Sequence, residues 1–126
     1  MTEGLRPLDG RELLAQAEIL LDGGDPNGAC LLLEPLAAEP PRRSDVLLLL
    51  ARSYFAAARL QRAEALFAEL AERDPTDHYA LHALGRALQR QGRNAEALGP
   101  LRLAAAMCPC EAYEEAAADA ALRADL

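Results

Sequence analysis

Residues 44–77, SDVLLLLARSYFAAARLQRAEALFAELAERDPTD, decide how the whole chain is read. Leu47, Leu50, Ala51 and Tyr54 recur at i, i+3, i+4 and i+7, the spacing that sets four side chains on one face of a helix. A break follows near Arg59. Ala63, Leu66, Phe67 and Leu70 then repeat the pattern on a second helix, which stops before Asp74-Pro75 because proline cannot continue it. Ala51 and Ala63 are small enough to let two helices approach closely, with Tyr54 and Phe67 filling the space around them. The stretch predicts a helical hairpin over residues 45–57 and 61–73.

Working outward, the same spacing returns at a fixed step of 34 residues. Pro41, Pro75 and Pro109 share it, as do Ala29, Ala63 and Ala97, and Leu33, Phe67 and Leu101. Ala17, Ala51 and Gly85 form a register of small residues, and Leu13, Leu47 and Leu81 another. Leu81, Leu84, Gly85, Ala97, Leu101 and Ala104 predict a further hairpin over 79–91 and 95–107. An earlier one is expected over 11–21 and 29–38, with a loose turn at Gly23 to Gly28 and Gln16 where its counterparts have Leu. Pro35 and Pro100 fall inside second helices, where a proline costs about 3 kcal/mol, so kinks or early ends are expected there. Each hairpin leaves an apolar side uncovered, and the hairpins must therefore stack.

These residues resemble the tetratricopeptide-repeat (TPR) family, whose pattern runs W-x2-L-G-x2-Y, then A-x3-F, then P. The second unit supplies Leu47-x2-Leu50-Ala51-x2-Tyr54, Ala63-x3-Phe67 and Pro75; the third supplies Leu81-x2-Leu84-Gly85-x2-Leu88, Ala97-x3-Leu101 and Pro109. The resemblance implies an all-α fold, an α-solenoid of three hairpins at 10–43, 44–77 and 78–111. Residues 1–9 are expected to be a flexible leading segment. Residues 112–126 are expected to form a capping helix, with Tyr113, Ala116, Ala117, Ala120 and Leu126 turned inward.

Composition narrows the function. A net charge of −7 disfavours nucleic acid, whose phosphates reward a basic face. No run approaches the roughly 20 apolar residues of a membrane span, and the first nine residues lack the pattern of an export signal. The expectation is a cytoplasmic protein. All 13 basic residues are arginines, a bias of GC-rich bacterial genomes. Three cysteines, an odd number, make no disulfide framework and are expected to be reduced, with Cys30 in the core.

In the family, the first helix of each hairpin lines a concave face that grips a peptide. The register places Arg11, Leu14, Glu18, Asp45, Leu48, Arg52, Phe55, Tyr79, His82, Arg86, Gln89 and Arg90 on that face. Residues 78–110 sum to +3, while 10–43, 44–77 and 111–126 sum to −3, −2 and −4. Arg52 and Arg86, with Phe55 and Tyr79 nearby, suit a peptide or protein partner bearing an acidic or carboxylate segment. The Lys, Asn and Arg clamp that TPR domains use on chaperone tails is not matched, because Leu14, Glu18, Leu49, Tyr79 and Ala83 stand at its positions. Glu114, Glu115 and Asp119 could instead cover the groove by pairing with its arginines.

Two other readings compete with peptide binding. One is a self-associating scaffold, a homodimer. The other is a zinc or redox site of His78, Cys108 and Cys110, against which stands the C-x-C spacing in place of C-x2-C. No nucleophile, base and orienting group can be assembled from spacing and no phosphate loop follows a strand, so neither catalysis, a cofactor nor a metal is expected.

Overall fold

The computed structural model describes residues 7–125, and among them every regular element is a helix. The order is α1 (Gly10–Asp22), α2 (Pro26–Ala38), α3 (Ser44–Ala56), α4 (Leu60–Arg73), α5 (His78–Arg90), α6 (Asn94–Met107) and α7 (Glu111–Ala124). The family's all-α architecture of helical hairpins is what the chain adopts. Residues 1–6 of the expected leading segment lie outside the described residues, and so does Leu126. Asp9, from the same segment, is the N-cap of α1: it accepts from the Glu12 N–H while the Glu12 carboxylate accepts from its own N–H, a reciprocal capping box.

Helix starts keep the step of the sequence. Gly10, Ser44 and His78 open α1, α3 and α5 at intervals of 34, and Pro26, Leu60 and Asn94 open α2, α4 and α6 at the same interval. Glu111 breaks it, opening α7 33 residues after His78. Helix α2 begins three residues ahead of expectation because Pro26, with no N–H to leave unpaired, occupies its first turn while Asp25 caps the Gly28 N–H at 2.9 Å. Three turns use one left-handed residue each, again 34 apart: Gly24 at φ 88°, Ala58 at φ 60° and Gly92 at φ 78°. Only the middle one carries a β-carbon in that region, a conformation that costs about 1–2 kcal/mol.

The early ends expected at Pro35 and Pro100 do not occur. Helix α2 runs on to Ala38 and α6 to Met107. Leu33 and Ala37 bracket the first proline, and Leu101 and Ala104 follow the second. All four side chains are buried and hold the turns around the missing hydrogen bond.

The chain divides into two compact units, one through Ala57 and one from Ala58 onward. In the first, α1 and α3 both pack on α2, and Ala17, Ala29, Leu33, Val46 and Leu47 are fully buried or nearly so. Cys30 is in this core, as expected. Ser53 is the one buried polar residue among those described, its hydroxyl donating to the Leu49 carbonyl at 2.8 Å, and the Tyr54 hydroxyl donates to Glu34 at 2.6 Å.

The second unit packs α4 on α5, α5 on α6 and α6 on α7. Phe67 is 1% exposed and meets Tyr79 edge-on at 6.4 Å. Gly85 is required by close approach: a β-carbon there would collide with Cγ and Cδ2 of Leu101. Leu88, Ala97, Leu101, Ala116 and Ala120 form the core under α7, flanked by Leu84, Leu98 and Ala117. Arg93 ties α4 to α6, donating to Glu64 at 2.6 Å and to both oxygens of Glu96 at 2.7 and 2.9 Å. These bonds hold the Glu96 carboxyl below its ordinary pKa.

Candidate partner-binding surface

The expected groove residues of α5 separate into two groups. His82 and Gln89 are half-buried and face α7. The His82 ring stacks on Tyr113, with centroids 4.2 Å apart and planes at 17°. Its Nδ1 is buried without a hydrogen-bond partner. Burial, and then the neighbouring charge of Arg86, push the His82 pKa below its ordinary value, which favours the neutral ring. Gln89 donates from its amide nitrogen to the Ala116 carbonyl at 3.2 Å and to Asp119 at 3.3 Å, while its oxygen accepts from Arg86 at 2.8 Å. His78 completes the seam, with Nδ1 3.0 Å from the Tyr113 hydroxyl.

Tyr79, Arg86 and Arg90 form the second group, which stays open to solvent. Tyr79 is 40% exposed even though one ring edge meets Phe67. Arg86 is half-exposed and braced by Gln89, and Arg90 is exposed at the end of the helix. Arg93, by contrast, is committed to Glu64 and Glu96.

In the first unit, Arg11, Glu18 and Asp45 are exposed and Leu14, Leu48, Arg52 and Phe55 are half-buried. Asp45 pairs with Arg43 at 2.6 Å. Of the positions that fail to match the chaperone-tail clamp, Leu49 and Ala83 are buried.

The inward stripe expected of the terminal helix forms at Ala116 and Ala120, which are buried, and at half-buried Tyr113 and Ala117, but its particular bonds to α5 were not read from the sequence. Tyr113 and the Ala116 carbonyl meet three residues of α5, and Asp119 binds both Gln89 and Arg123. Of the acidic residues expected to reach the groove, Asp119 forms an ion pair within α7, to Arg123 at 3.0 Å, and Glu114 and Glu115 are exposed.

The alternative metal set of His78, Cys108 and Cys110 is not assembled. Among the described residues no three His, Cys, Asp or Glu side chains converge as ligands, and His78 is turned to Tyr113. Cys108 and Cys110 are half-buried free thiols. No helix of the described residues is long and apolar enough to cross a membrane.

No curated protein matches the sequence. Solved structures do. MamA of AMB-1 superimposes with a TM-score of 0.79 at 25% identity over 90% of this chain, which spans 62% of the MamA length. MamA of MSR-1 gives 0.82 at 25% identity, covering 95% of this chain and 71% of that one. PcrH, solved with the chaperone-binding region of PopB, shares the fold at a TM-score of 0.72 and 18% identity, covering 94% and 99%. The profile of the Tetratricopeptide repeat family matches residues 20–84, just over half of the chain. From its 34-residue step, its helical hairpins and that match, the chain belongs to the tetratricopeptide-repeat family.

Proposed function

We propose that the chain is a non-catalytic protein-interaction module that binds a peptide or protein segment on the faces of its first helices. The residues assigned are Arg11, Leu14 and Glu18 on α1, Asp45, Leu48, Arg52 and Phe55 on α3, and Tyr79, His82, Arg86, Gln89 and Arg90 on α5. The partition into three units at 10–43, 44–77 and 78–111, with 112–126 covering the end of the last, belongs to the same reading. So does a cytoplasmic setting, which suits the free thiols of Cys30, Cys108 and Cys110.

The observation that carries it is the open basic strip of α5. Residues 78–110 are the one segment of net positive charge, and Arg86 is held in place by Gln89 while its neighbour Arg90 is exposed. A partly immobilised guanidinium loses less entropy on gripping a carboxylate, so an acidic or C-terminal carboxylate segment fits it. PcrH, of the same fold, was solved with a segment of another protein.

Capture of a partner from the native host followed by Arg86→Ala tests the reading. Loss of the charge-assisted bond should weaken binding by about 1–3 kcal/mol, with the fold intact because the side chain is outside the core. Rising salt should weaken it further. Unchanged affinity in both Arg52→Ala and Arg86→Ala would remove these faces as the site. Sedimentation that returned a stable dimer, with no captured partner, would favour the self-associating scaffold instead.

A further inference from the structure

Helix α7 repeats the geometry of α5 on a step of 33 rather than 34. On that step Ala116 and Ala120 correspond to Ala83 and Ala87, and all four are buried. The same step carries Glu115, Asp119, Leu122 and Arg123 onto His82, Arg86, Gln89 and Arg90, the face of α5 assigned to the partner. The bonds from Gln89 to Asp119 and the Ala116 carbonyl place the two helices edge to edge on this side. Asp119 is fixed there by Gln89 and Arg123, Glu115 is exposed one turn earlier, and Leu122 is 72% exposed.

The electrostatics differ across the seam. Arg86 and Arg90 make the α5 edge positive, while on the α7 edge Glu115 and Asp119 outweigh Arg123 and leave one net negative charge. A uniformly acidic segment that satisfied α5 would be repelled on reaching α7. An extended segment crossing both helices meets opposite charges within a few residues.

We propose that the binding face of the second unit extends from α5 onto α7 and takes a segment of mixed charge, with an acidic residue over Arg86 and Arg90, a basic residue over Glu115 and Asp119, and an apolar side chain against Leu122. This rests on α5 being a partner-binding surface, and adds the chemistry of the partner. Arg123 lies at the far margin of the acidic edge and is neutralised by Asp119.

Fluorescence anisotropy with the full chain tests it, using three labelled peptides of equal length. One carries an aspartate block, a leucine and an arginine block; the second has the blocks in reverse order; the third has glutamine in place of each arginine. At least one mixed-charge peptide should bind about tenfold tighter than the glutamine peptide, a gap of about 1.4 kcal/mol. Glu115→Arg should erase that gap without weakening the glutamine peptide, and Leu122→Ala should loosen the mixed peptide several-fold. Both sites are exposed, so circular dichroism should be unchanged. Equal binding of all three peptides, or a gap that survives Glu115→Arg, overturns the proposal. If Arg86→Ala still weakens every peptide in that case, the α5 surface stands and only its extension fails. If no peptide binds, the extension is likewise overturned, and Arg86→Ala against a captured host partner then decides the α5 surface by itself.

Discussion

The contact of α5 with α6 and that of α6 with α7 are built from different materials. In the first, the Leu101 side chain fills a notch that only glycine at position 85 leaves open. In the second, two alanine methyls, Ala116 and Ala120, are the buried part of α7, and the helix is tied further to α5 by the His82–Tyr113 ring stack and by hydrogen bonds at His78 and Gln89. Apolar burial is worth roughly 25 cal/mol per Å², so the alanine seam has far less to gain per residue than the leucine one. The body of the unit is thus held by shape, and α7 by a few directional bonds whose strength depends on solution conditions.

The largest expected effect lies in the body. Phe67→Ala should cost about 3–5 kcal/mol of unfolding free energy, since the ring is 1% exposed and edge-on to Tyr79. Denaturant titration that returned a loss below ~1 kcal/mol would put the ring outside the core. Gly85→Ala should cost about 1–3 kcal/mol because Leu101 must leave its rotamer to admit the methyl. If that variant were neutral by the same titration, the α5–α6 contact would be as loose as the α7 seam and the contrast would collapse.

A smaller gain is expected at the turn before α4. Ala58→Gly should stabilise the chain by about 1 kcal/mol, since glycine adopts the left-handed backbone without the β-carbon penalty. A lowered melting temperature in that variant would show the alanine contributing something the backbone angle does not reveal.

The subtlest effect sharpens the contrast at the seam. With the folded pKa of His82 below its ordinary value of 6.5, the unfolded chain takes the proton first. Stability is therefore fully present above pH about 6.5 and is lost as pH falls through the folded pKa. Hydrogen exchange at two pH values across that range should show α7 amides opening more readily on the acid side, with α5 amides less affected. His82→Gln should flatten the difference. Loss of Asp74 and Glu96 charge acts at lower pH, in the carboxylate range, and is separable on that ground.

Much of the fold was legible because a repeat restates itself. Leu47, Leu50, Ala51 and Tyr54 specify one helix face, and the same face recurs at Leu81, Leu84, Gly85 and Leu88, so each hairpin checks the next. Asp77 caps α5 by accepting from the Ala80 N–H at 3.0 Å, but the starts of α3, α4 and α6 lack a side-chain cap and could be placed only by the period, which the equally uncapped start of α7 breaks. The early ends expected at Pro35 and Pro100 did not occur because propensity is local, whereas the buried residues around them pin the helix from outside. The candidate surface was less legible. Periodicity assigns His82 and Arg86 to one face without saying which of them a neighbouring helix will meet, and that neighbour, α7, departs from the period.

That departure bears on any attempt to lengthen the array. Helix α7 opens 33 residues after α5 where its predecessors open at 34, and its buried Ala116 and Ala120 are displaced by the same one residue from the positions of Ala83 and Ala87. The stripe therefore keeps its phase relative to the helix start, and the missing residue comes out of the connection, residues 108–110 ahead of α7 against 74–77 ahead of α5. A copied unit spliced ahead of residue 78 would leave every downstream interval intact, including this shorter joint between α6 and α7. A designer who copied the last connection in place of an internal one would carry the shorter joint into the middle of the array.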